Sequence, residues 1–155
     1  MSFDMLLYAE DYKSKYTHLG EDPKGFYPSN LQKLGELQEK RTGVLSQVIR
    51  YTIGKWTNAY AIHAWFFNNL SSDMDNCKEI FIEESNLKEL LTLVREVLAD
   101  HDKAPELLPT DCDFHYGRDE DYNERYFEDL EYTAQLLPLA IEARRNGYDI
   151  FYQGY

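Results

Sequence analysis

The sequence predicts an α+β fold: a small, mainly antiparallel sheet covered on one face by two or three helices, within a single domain spanning residues 1–155. Three observations carry that expectation. Runs rich in β-formers and aromatics stand at both ends, "SFDMLLYAEDY" at residues 2–12 and "YDIFYQGY" at 148–155. Between them lie stretches with apolar residues at helical spacing, most clearly Leu87, Leu90, Leu91, Val94 and Leu98. No repeat or linker divides the 155 residues, which suffice to bury a core without metals or disulfides. Strands at both ends with helices between them make an α+β domain.

The elements follow in order. A first strand is expected over Phe3 to Glu10. "GEDPKGFYP" at 20–28 is a loop punctuated by Pro23, Gly25 and Pro28. "SNLQKLGELQEKR" places Leu31, Leu34 and Leu37 three apart, a short helix capped by Ser29 or Asn30 and weakened by Gly35. Val44 to Ile53 reads as a second strand ended by Gly54. Thr57 or Asn58 then caps a helix in which Ala59, Ile62, His63, Phe66 and Leu70 share one stripe. "DMDN" breaks it, and "CKEIFIEES" is a third strand with Ile80 and Ile82 on one face. Ser85 caps the helix of Leu87 to Leu98. Residues 101–122 read as a long loop, and long loops in compact domains more often carry function than not. From about Glu120 a helix runs with Tyr126, Leu130, Thr133 or Ala134, Leu137 and Ile141 inward. Pro138 is expected to kink or split it, and Gly147 to stop it before the last strand.

Composition excludes several functions. At 43% hydrophobic and 28% charged, with thirteen tyrosines against eight phenylalanines, the chain is globular and rich in rings that suit half-buried surfaces and interfaces. Net charge is −12, and no basic stripe is present to neutralise duplex DNA or RNA. Residues 111–131 alone hold nine acids against Arg118 and Arg125, a net of −7. Such a run is ordinarily a solvated helix face; the sharper reading is a surface that docks on a basic protein. Cys77 and Cys112 form no C-x-x-C motif, the N-terminus has no signal-peptide pattern, and no apolar run reaches membrane length. The expectation is a cytoplasmic protein with reduced thiols and no membrane partner.

Chemistry concentrates in "KWTNAYAIHAWFFNN", residues 55–69. Read as one helix, Trp56 and Trp65 stand about 180° apart and cannot share a face. An indole at a helix start beside Asn58 and free backbone N–H groups can stack a base and hold a phosphate; as plain structure, both rings are core. His63 lies on the inner stripe, where a lone histidine is more often a hydrogen-bonded core residue than a base. "DCDFH" offers Cys112 and His115 with Asp111 or Asp113, but two further zinc ligands at a recognised spacing are missing, so no metal site is expected. Phosphate-loop, dinucleotide, nucleophile-elbow and metalloprotease motifs are absent. The acids of 111–131 are too many to single out a catalytic pair. No catalytic residue and no cofactor is assigned, and the balance leans away from an enzyme.

The chain resembles a family of small bacteriophage and prophage proteins with the patterns GLDMYL, GYWRKANAIHxWF, DNC, LLPTxxGFFFGxxxYDxxYxxDLxxT and YYQSSW in that order. The matching pieces are "SFDMLL" (2–7), "GKWTNAYAIHAWF" (54–66), "DNC" (75–77), "LLPTDCDFHYGRDEDYNERYFEDLEYT" (107–133) and "FYQGY" (151–155). The family's basic pair is replaced here by Thr57 and Asn58, Lys55 stands for an aromatic, "GFFFG" reads Asp113 to Gly117, and Tyr155 stands for the final tryptophan. The resemblance implies a phage-borne product, and phage genomes also carry small proteins that sequester nucleotide signals of host immunity. Where the family pattern is densest, the residues suit a base-and-ribose ligand: Lys55, Trp56, Asn58 and His63 on the first long helix, Arg118 and Tyr122 after the long loop, Tyr152 and Gln153 on the last strand. A salt bridge to a neighbouring carboxylate is the plain reading of Arg118. The expected function is non-enzymatic binding and sequestration of a small nucleotide-like molecule at a homo-oligomer interface. The alternative is an acidic inhibitor or adaptor that docks on a basic site of a host protein.

Overall fold

Met5 and Leu7 alternate with the less buried Asp4 and Leu6, and this period of two lays strand β1 (Asp4–Tyr16) against the core, with Tyr8 buried on its other face. The computed structural model describes residues 3–16, 31, 33, 37, 44–71, 79–110 and 122–155. These divide into two units, Met1–Ala9 with Tyr51–Tyr155, and Glu10–Arg50. Both β1 and β2 (Val44–Thr57) outrun their expected lengths. Gly54 does not end β2. A Cβ there would stand 2.1 Å from Leu136 Cδ1, so the glycine lets a helix lie directly on the strand backbone.

The second correction follows from the first. Lys55 and Trp56 belong to β2, Asn58 to a turn, and only then does helix α1 (Tyr60–Leu70) begin. Neither Thr57 nor Asn58 caps it: the N-cap is Ala59, without a side-chain hydrogen bond. Asn58 instead takes a left-handed φ of 60°, which asparagine tolerates better than most residues. Its N–H donates to the Phe3 carbonyl at 2.8 Å and its Oδ1 accepts the Phe3 N–H at 2.8 Å. In α1, Ala61 to Phe66 are all buried, so the helix is covered on both sides.

Strand β3 (Ile80–Ile82) pairs antiparallel with β4 (Asp149–Gly154), Ile80 opposite Tyr152 and Ile82 opposite Ile150. Ile80 and Ile82 share the core face, as expected. Helix α2 (Glu84–Ala99) is capped by Glu83 and Asn86 in a reciprocal box, and Ser85 lies inside it. The first part of the expected long loop is a 3₁₀ turn (His101–Lys103) and a short helix α3 (Ala104–Leu107); 111–121 lie outside the described residues. Helix α4 (Glu124–Arg145) begins at an Asn123 side chain that accepts the Tyr126 N–H at 3.0 Å. It runs unbroken through Pro138, on the exposed side where solvent can replace the lost backbone bond. Gly147, at φ 90°, ends it in a Schellman turn: its N–H reaches the Arg144 carbonyl and the Tyr148 N–H the Ala143 carbonyl, each at 3.1 Å. Of the expected helix near residue 33, Lys33 and Leu37 are helical and the remainder lies outside the described residues.

The first unit is thus α+β, and the described strands form an open antiparallel sheet in the order β2-β1-β4-β3. Phe3, Met5, Leu7, Trp56, Ile82, Ile150 and Tyr152 meet α1, α2 and α4 in one hydrophobic core. In the second unit β1 and β2 continue as a ribbon, with Arg50 paired to Glu10 across it.

Candidate functional site

The turn between β2 and α1 is where the expected site residues come closest to one another, and the pleat of the sheet sorts them. Trp56 points to the helix face. It is 2% exposed, and its Nε1–H donates to Thr133 Oγ1 at 2.9 Å. Its indole is core and presents no face for a base to stack on. Lys55 and Thr57 therefore point to the opposite face, where the Lys55 ammonium meets Asp4 at 2.6 Å and the Thr57 hydroxyl donates to Asp4 Oδ1 at 2.9 Å. These bonds hold the Asp4 carboxyl below its usual range. Gln153 and Tyr155 lie nearby, since the Tyr155 N–H donates to the Asp4 carbonyl at 2.8 Å and the Tyr155 hydroxyl to Gln153 Oε1 at 2.6 Å.

His63 and Tyr152 form a separate buried pair, Nδ1 to hydroxyl at 2.7 Å. The Phe3 ring edge stands 4.7 Å from the imidazole and Phe66 stacks on Tyr152 at 4.2 Å. Burial pushes the imidazole pKa down to about 4, so the ring is neutral near pH 7. Gly154 closes this corner: a Cβ would stand 2.6 Å from the Phe3 ring and 3.4 Å from His63 Cε1. The pair is structural packing around two polar groups.

Tyr122 packs edge-on against Tyr126 at 5.0 Å, whose own hydroxyl donates to the Leu108 carbonyl at 2.8 Å. Burial, with Tyr122 adding to it, raises the Tyr126 pKa and keeps the phenol neutral. Arg118 lies outside the described residues, as do Cys112 and His115.

A cleft opens on the helix side of the turn, lined by Asn58, Tyr60, Ile62, Thr110, Tyr126 and Asp129. Its cavity volume of about 20 Å³ is room for roughly one water. Arg125 stands at its margin, donating to the Thr57 carbonyl at 2.9 Å. A second cleft of about 100 Å³ lies between α1 and α3, walled by Trp65, Asn68, Asn69 and Leu108. Sequence reasoning missed Arg125, Tyr60 and Asp129. Arg125 was legible only as one of two bases in an acidic run; the spacing holds no sign that it reaches back to β2. Glu124, Glu128 and Glu131 are exposed along α4. Among the described residues no three of His, Cys, Asp and Glu gather closely enough to hold a metal ion, and no helix is long and apolar enough to cross a membrane.

Comparison of the chain with protein-family models, with curated proteins and with solved structures finds no match.

Proposed function

We propose that the protein binds and sequesters a small nucleotide-like molecule at the β2–α1 turn, without converting it. The observation that carries this reading is Arg125, a cation held on the Thr57 carbonyl next to the cleft in a chain of net charge −12, while Lys55 stands on the other face of the strand, paired with Asp4. Arg125 spends one N–H on a neutral acceptor, so its charge remains available to a phosphate. The cleft adds the other chemistries such a ligand calls for. Asp129 accepts from ribose hydroxyls or base amino groups, Asn58 and Thr110 offer amide and hydroxyl groups, and Tyr60 offers a half-buried ring. The enclosed room fits about one water, so the ligand lies across the mouth of the cleft, and a second copy of the chain completes its enclosure. The phage-family resemblance supports the same reading, as the kind of gene that encodes sequestering proteins.

Arg125→Glu is expected to weaken binding of a nucleotide panel by about tenfold or more in titration calorimetry, while leaving thermal unfolding nearly unchanged. Reversing Glu124, Glu128 and Glu131 to lysine is expected to leave that binding intact. Under the alternative of an acidic surface docking on a host protein, the triple reversal abolishes the interaction and Arg125→Glu does not. Unchanged affinity in Arg125→Glu contradicts the placement of the site.

A further inference from the structure

We infer that the cleft between α1 and α3 is the base subsite of the ligand, shaped to take a single-ring, pyrimidine base edge-first. This deepens the ligand reading and rests on it for the path of the phosphate. Ala61, Ala64, Trp65 and Asn68 stand at i, i+3, i+4 and i+7, one stripe of α1. Leu108 and Pro109 face that stripe, and the two alanines are too small to close the gap. About 100 Å³ of room is left, far more than the cleft at the turn holds.

The two clefts meet. Ala61 borders both, and the Tyr126 hydroxyl of the first donates to the Leu108 carbonyl of the second at 2.8 Å. From Tyr60 to Asn68 the helix rises about 12 Å, the reach of one nucleotide from its phosphate to the far edge of its base. A phosphate on Arg125 and a ribose at Asp129 therefore bring the base to Trp65.

The polar groups in this cleft select its occupant. Asn69 turns its amide away, its Nδ2 donating to the Trp65 carbonyl at 2.8 Å. Among the described residues, the Trp65 Nε1–H and the Asn68 amide have no hydrogen-bond partner, although Trp65 is only 6% exposed. The indole nitrogen is not sealed in packed core, so its donor opens onto the cleft. A fixed donor beside a free carboxamide complements an edge that presents an acceptor and then an adjacent donor and acceptor. A pyrimidine carries that row along one edge: O2 accepts from the indole, and N3 with the C4 substituent pairs with Asn68. The amide turns over to suit cytosine or uracil. Size excludes the larger bases. A cavity of roughly 150 Å³ encloses one benzene, so this cleft takes one six-membered ring with part of it at the mouth, and the second ring of a purine has no room.

Proton–nitrogen correlation spectra of the full chain test it, with the two indole N–H groups as probe and control. The Trp65 resonance, assigned with Trp65→Phe, is expected to move downfield and saturate on titration with cytidine or uridine. The Trp56 resonance, held on Thr133, is expected to stay in place. Adenosine and inosine are expected to bind at least about tenfold more weakly. Asn68→Ala, at an exposed position, is expected to weaken cytidine binding about tenfold. Nucleosides carry no phosphate, so the cleft is tested apart from Arg125. Nucleotides that bind through Arg125 and leave the Trp65 resonance in place would overturn this inference while the ligand reading stands. Nucleosides that move it, in a protein whose nucleotide affinity is unchanged by Arg125→Glu, would uphold the base subsite and sink the phosphate placement. A Trp65 resonance indifferent to cytidine and uridine, purines that match them, or an undiminished response in Asn68→Ala would each overturn the inference.

Discussion

Trp56→Ala is expected to cost about 3–5 kcal/mol of folding stability, a large part of the roughly 5–15 kcal/mol that holds a domain of this kind together. The indole is 2% exposed and is among the largest fully buried side chains. Truncation leaves a cavity between β2 and α4, and it strips Thr133 Oγ1 of the indole donor while that hydroxyl still donates to the Asp129 carbonyl at 2.6 Å. Trp56→Phe keeps most of the ring volume and loses chiefly the hydrogen bond, so a smaller loss of about 1–3 kcal/mol is expected. Denaturant unfolding followed by far-ultraviolet circular dichroism checks both. A Trp56→Ala variant that unfolds at the wild-type midpoint would show that the indole is not part of the core.

The stability of the protein is expected to fall as pH drops from about 6.5 to about 4, by about 3 kcal/mol in all, because of His63. The sign follows from where protons bind. The folded pKa is about 4 against the ordinary value of 6.5, so between those values the unfolded chain takes up a proton that the folded chain refuses. The contribution is complete above 6.5 and is lost as pH falls through the folded value. Burial is the cause: an imidazolium at a 2% exposed position, edge-on to Phe3 at 4.7 Å, has lost its hydration. Urea titrations at a series of pH values measure the slope, and His63→Gln is expected to remove it. The carboxylates held low by lysine and arginine partners, Asp4 and Glu84, lose their contribution as pH falls below their ordinary values of 3.8 and 4.5, so the upper part of the window is where His63 acts alone of the three. A wild-type stability flat between pH 4 and 6.5 would mean that the imidazole is solvated when charged.

Much of the fold was legible because burial follows period. Leu87, Leu90, Leu91 and Val94 are buried at the helical spacing that announced α2, and Ile80 with Ile82 face the core as the alternation required. The terminal strands and the stop at Gly147 were equally plain. What failed were local signals with two meanings. Gly54 reads as a terminator, yet it is a gap that Leu136 fills; nothing in the strand's own sequence names a helix that arrives eighty residues later. Reading Gly54 as a stop puts Lys55 and Trp56 on the wrong element, with the indole at a helix start instead of in the core. Ser85 is a good capping residue in a place where Glu83 and Asn86 do the capping together.

The candidate site was less legible than the fold. Of the residues singled out, Lys55 and Gln153 share one face of the sheet end with Asp4, while Asn58 borders the cleft behind the turn. Trp56, His63 and Tyr152 are core, and Tyr122 supports Tyr126. Composition and spacing list the groups a nucleotide would use; only the pleat of β2 and the reach of Arg125 decide which of them point the same way.

Native mass spectrometry of the full chain expressed in a bacterial host tests the ligand reading most directly. The expected spectrum shows the assembly carrying a discrete excess mass of nucleotide size, released intact on denaturation and absent from Arg125→Glu. A spectrum of bare chain, unchanged when the protein is incubated with nucleoside mono- and diphosphates and cyclic oligonucleotides, would contradict it.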